Sequence, residues 1–116
     1  MAPVLMITVA KKNFSGSGAP NGYAMHDTGG ALAVMAIQAT ALGMHIHAMA
    51  GFDRRKAQAD LHIPQDYEPA AAVALGYAGS PEILPPTLQA RELAKRERKP
   101  LSEIAFNGVW DKPLTF

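Results

Sequence analysis

The sequence predicts a layered α/β domain from three features: a β-branched run at Val4 to Val9, a long apolar helix pattern starting near Asp27, and a second apolar run at Ala70 to Tyr77. A chain of 116 residues with 48% apolar content is long enough to close one core. One domain over residues 1–116 is therefore expected.

Val4 to Val9 is too short for a stable helix and is ended by Lys11 and Lys12, which predicts a buried strand. Between Asn13 and Asn21, Gly16, Gly18 and Pro20 favour irregular backbone over any periodic element. Asp27 or Thr28 can cap the helix that follows, because each carries an oxygen able to accept from free first-turn N–H groups. That helix is expected to run to about His45. Along it Gly29, Ala33, Ala36, Thr40 and Gly43 place a stripe of small side chains on one side. Leu32, Met35, Leu42, Val34, Ile37, Ala41 and Met44 leave almost no polar face, so a doubly covered helix is predicted, with a second chain over the small-residue stripe.

Asp53 should cap a short helix through Leu61, and Ile63 to Pro69 reads as a connecting turn bordered by Pro64 and Pro69. Ala70 to Tyr77, with Val73 and Leu75 alternating with alanines, reads as an interior strand ended by Gly76 and Gly79. Pro85 and Pro86 suit the start of a helix over Leu88 to Lys95, and Pro100 stops any continuation. From Glu103 to Trp110, Gly108 breaks the alternation of Ile104, Phe106, Val109 and Trp110, which suggests an extended arm.

Composition narrows the function classes. Eleven basic against ten acidic residues give a formal charge of +1, too little excess to neutralise many phosphates or to hold a membrane surface. The absence of cysteine removes disulfides and thiolate chemistry. The start MAPVLMITV has no basic segment before it and no cleavage site, so it reads as a strand, and a cytoplasmic location is expected. Gln38, Thr40, His45 and His47 interrupt the apolar stretch from Gly29 to Ala50, against a membrane span.

Few residues suggest chemistry when taken alone. Arg91, Lys95, Arg96, Arg98 and Lys99 form a basic run that also reads as a solvated helix end, with Glu92 and Arg96 paired four apart. Gly51 also reads as a helix C-cap. On a helix His45 and His47 would diverge, and His26 and His62 have no recognisable partners, so no metal site is expected. Neither Ser15 nor Ser17 lies in a nucleophile-elbow pattern.

Three separated blocks are more informative. HDTGGALAVMAIQATALGMHIHAMAGFD, then ALGYAG, then RERKPLSEIAFNGVW resemble the nitroreductase family in the same order, within a likeness running from about Pro3 to Trp110. The resemblance implies a three-layer α+β sandwich, incomplete at the N-terminus, that forms an obligate homodimer with FMN bound where two subunits meet. It implies that Ala50 and Gly51 set backbone N–H groups against the flavin and that Arg96 and Arg98 reach its phosphate, for which guanidinium forks are suited. Asp27, Thr28 and Gly29 match the start of the interface helix, and Tyr23 falls where it could line the substrate pocket. No catalytic side chain is assigned.

Full-length members of that family begin with an Arg- and Ser-containing flavin-binding segment, then helices and an Asn-containing motif. This chain starts near the strand that follows them, which leaves a truncated product, a split protein or a stand-alone domain as explanations. With the missing part supplied, the implied activity is ping-pong hydride transfer from NAD(P)H (NADH or NADPH) to a nitroaromatic or quinone acceptor. The alternative is a non-catalytic dimerisation or interaction module that lost the cofactor.

Overall fold

The computed structural model describes residues 2–114. They form two compact units, divided after Ala78. In the first unit the order is β1 (Val4–Lys11), α1 (Ala24–Ala41), β2 (His45–Met49), α2 (Arg54–Asp60) and β3 (Tyr67–Gly76).

The strands make one antiparallel sheet in the order β1-β3-β2. β3 is interior, as its alanine and valine alternation predicts. β1 is an edge strand, and its expected burial fails: Leu5 is 70% exposed. The expected connector through Pro69 is also shorter than predicted, because β3 already begins at Tyr67. Pro69 sits in the strand opposite Val9, just where the register shifts between Thr8 and Val9. A proline is tolerated there because a bulge relaxes the demand for ladder donors. Thr8 repairs the ladder locally, its Oγ1 accepting from the Ala71 N–H at 3.0 Å.

Consecutive strand residues face opposite sides of a sheet. Ala72 and its neighbour Val73 are nonetheless both buried, Val73 completely, so both faces of β3 are covered. α2 packs on β3 on the side of Leu5, Ile7 and Ala72, while α1 packs on β1 and β2. This gives the mixed helix and antiparallel-sheet class expected, with Ala39 of α1 joining Ala10, Ala72 and Val73 in the core. At the end of β3, the Pro3 ring lies against Gly76, where a Cβ would fall 2.6 Å from Pro3 Cδ.

α1 departs from expectation at both ends. It starts at Ala24, with Tyr23 as an N-cap that makes no side-chain capping bond. Asp27 and Thr28 lie inside the first turns, where Thr28 Oγ1 donates to the Ala24 carbonyl at 2.8 Å. The helix stops at Ala41 because Gly43 adopts φ +72°, the left-handed conformation that glycine takes without a Cβ penalty. The chain then turns back as β2, so His45 belongs to a strand and not to the helix. Coverage of α1 is one-sided among the described residues: Ala24, Thr28, Leu32, Met35, Ala36 and Ala39 turn inward, whereas Val34 and Ile37 are exposed, Ile37 by 72%.

α2 forms as predicted. Asp53 is its N-cap and accepts from the Lys56 N–H at 2.9 Å, and Lys56 Nζ reaches Asp60 at 2.8 Å one turn on.

The second unit contains α3 (Pro86–Leu93), with Pro85 as its N-cap, preceded by a 3-10 turn at Pro81–Ile83 and followed by another at Leu101–Glu103. The expected extended arm is instead a tight reversal. Asn107 N–H donates to the Lys112 carbonyl and Leu114 N–H to the Ala105 carbonyl, with Gly108 at φ +81° and Asp111 at φ +61° inside the turn. The Phe106 and Trp110 rings pack against each other across it, centroids 4.8 Å apart and planes tilted by 46°.

Candidate functional site

Ala50 and Gly51 occupy the exit from β2. The paired register ends at Met49 opposite Ala72, Phe52 N–H donates to the Ala50 carbonyl at 3.0 Å, and Asp53 then caps α2. A ladder on one side and a capped helix on the other thus hold a four-residue turn in place. Both Ala50 and Gly51 are exposed, and a Cβ built on Gly51 would meet nothing within 4 Å. A flat group could therefore approach this backbone directly. The reading of Gly51 as a helix C-cap fails, because Gly51 follows a strand and the left-handed helix-ending glycine is Gly43.

Arg96 and Arg98 belong to the second unit, beyond the end of α3. Ala94 already has extended backbone, with φ −61° and ψ 138°, so Glu92 and Arg96 are not one helical turn apart and the expected pair does not form. Arg98 donates to the Glu97 carbonyl at 2.9 Å, and Lys99 lies 4.0 Å from Glu103. Both guanidinium groups are exposed, as an anion-binding role requires.

Tyr23 stands at the start of α1 with 68% of its surface exposed, its N–H donating to Asn21 Oδ1 at 3.1 Å. It is therefore not a core residue. The helical argument that separated His45 from His47 does not hold, since both lie on β2. Among the described residues no group of three or more His, Cys, Asp or Glu gathers as a metal cluster. No helix among them is long and apolar enough to cross a membrane.

One feature escaped the sequence reading. Leu5 and Ile7 of β1 and Phe52, Asp53, Lys56, Ala57, Asp60 and Leu61 line an open groove of about 360 Å³. Its signal was present in the alternation of Leu5 with Ile7 and in the spacing of four between Asp53, Ala57 and Leu61, which sets one helix face over one strand face.

No protein-family model matches the chain. It is 38% identical over 92 residues to an uncharacterized 15.4 kDa protein in the ask 5′ region of Mycolicibacterium smegmatis, covering 79% of this chain and 62% of that protein. A crystal structure of an oxidoreductase containing FMN superposes with a TM-score of 0.89 at 32% identity, over 96% of this chain and 57% of the other. A nitroreductase family protein from Clostridium difficile 630 gives a TM-score of 0.66 at 23% identity, over 93% of this chain and 60% of that one. A nitroreductase family protein from Clostridium novyi NT gives 0.52 at 25% identity, over 66% of this chain and 43% of the other. The chain therefore spans about three fifths of the length of the first two relatives. In fold it is nitroreductase-like, and it resembles the nitroreductase family over part of that family's length.

Proposed function

We propose that this chain is the flavin-contacting part of an FMN-dependent oxidoreductase. The observation that carries the proposal is its likeness, over 96% of its length at 32% identity, to an oxidoreductase containing FMN. The chain's own residues fit the group. In the first unit Gly51 leaves the backbone at the end of β2 open, so the N–H groups of Ala50 and Gly51 can meet a flavin ring. In the second unit, taken by itself, the exposed Arg96 and Arg98 are charge-assisted donors of the kind a phosphate takes. When bound, FMN would supply the hydride chemistry between NAD(P)H and a small aromatic acceptor such as a nitroaromatic or quinone.

The protein's part in that reaction is to position. The Met49–Ala72 end of the ladder and the Asp53 cap fix the turn between them, so its N–H groups need little reorganisation to meet negative charge. Tyr23, exposed at the start of α1, is the side chain we assign to the acceptor's pocket.

A second copy completes the arrangement in this reading. The exposed side of α1 carries Gly29, Ala33 and Thr40 beside Val34 and Ile37, which lets another backbone approach and gives it apolar surface to bury. Sedimentation of the parent chain and of Ile37→Asp tests this: the parent should sediment as a dimer and the variant as a monomer, and a monomeric parent at every concentration would refute the pairing. The flavin assignment is tested by titrating FMN into the chain, where Arg96→Ala with Arg98→Ala should abolish saturable binding or weaken it at least about tenfold.

A further inference from the structure

We propose that His45 and His47 form a two-imidazole site for a divalent first-row transition cation such as Zn²⁺. Placing the pair on β2 reverses the geometry that a helix would give them: residues two apart on a strand point to the same face. Their backbones are then separated by about 6.7 Å of strand rise. Two ligands at about 2.05 Å from a tetrahedral cation stand roughly 3.3 Å apart, a gap that two imidazoles leaning together can close.

The surroundings suit a cation. β2 is an edge strand, and both histidines are exposed. Their cross-strand partners are Gly76 and Ala74, so no side chain longer than a methyl stands directly opposite either ring. Among the described residues the ring-nitrogen bond present belongs to His26, with Asp27 at 3.1 Å, and none holds His45 or His47. Neutral imidazole favours zinc, copper and nickel over magnesium or calcium, and since no third His, Cys, Asp or Glu joins the pair among the described residues, water would fill the remaining positions. The site is independent of the flavin assignment, and its failure would leave that assignment standing.

The test is calorimetric titration of Zn²⁺ into the untagged chain, alongside His45→Gln, His47→Gln and His26→Gln. The parent and His26→Gln should bind one cation per chain with equal affinity, and each of the other two variants should bind at least about tenfold more weakly. Both rings are exposed, so these changes leave the core intact, which circular dichroism of each variant checks. Absence of saturable binding by the parent, or parent-like affinity in either His45→Gln or His47→Gln, would overturn the proposal.

Discussion

Truncating Val73 to alanine tests the layered arrangement most sharply. Val73 is completely buried at the centre of the middle strand, between Met6 of β1 and Ala48 of β2 in the register. The substitution removes two carbon groups, worth about 1.6 kcal/mol at roughly 0.8 kcal/mol each. The cavity left behind raises the cost to about 2–3 kcal/mol. Leu5→Ala is the internal comparison. It deletes three carbons, but at 70% exposure only about three tenths of roughly 2.4 kcal/mol is at stake, or about 0.7 kcal/mol. Urea unfolding of the parent and both variants, followed by circular dichroism at a concentration that keeps the association state constant, measures the difference. The larger deletion should cost less. If Leu5→Ala destabilises as much as Val73→Ala, the edge position of β1 and the core assigned to β3 are both wrong.

Two further substitutions test the local signals that place the candidate flavin turn. Asp53→Ala removes the oxygen that caps α2 at 2.9 Å and should cost about 1 kcal/mol in the same assay, whereas Asp53→Asn should retain most of the stability. An unchanged Asp53→Ala midpoint would refute the cap. Gly43→Ala should cost about 1 kcal/mol through its φ of +72° alone, since an added Cβ meets nothing within 4 Å. Gly43→Asn should recover part of that loss, and a Gly43→Ala protein as stable as the parent would show that the left-handed stop is not needed there.

Much of this fold was legible because single residues carried the signals. Asp53 announced α2, the Val73 and Leu75 alternation announced β3, and Pro85 with Pro86 announced α3. β2 was missed for a physical reason. His45 to Met49 is five residues long and continues the apolar character of α1, and Gly43, which ends the helix, also fits the stripe of small residues along it. Periodicity alone cannot tell a helix-ending glycine from a packing glycine. Pro69 misled in the opposite direction: a proline that reads as a turn was accommodated in a strand by a bulge opposite Val9, which only the pairing partner reveals. Within the candidate site, the exposure of Ala50, Gly51, Arg96 and Arg98 followed from neither composition nor spacing. Their assignment came from the resemblance of three ordered blocks, whereas the His45 and His47 pair needed the strand itself to become visible.

The measurement that bears most directly on the central claim is FMN titration of the purified chain, followed by flavin fluorescence, with the Arg96→Ala and Arg98→Ala double variant beside it. Saturable binding by the parent, lost or at least about tenfold weaker in the double variant, is the predicted result. A parent chain that does not bind FMN, or a double variant that binds as tightly as the parent, would contradict the account.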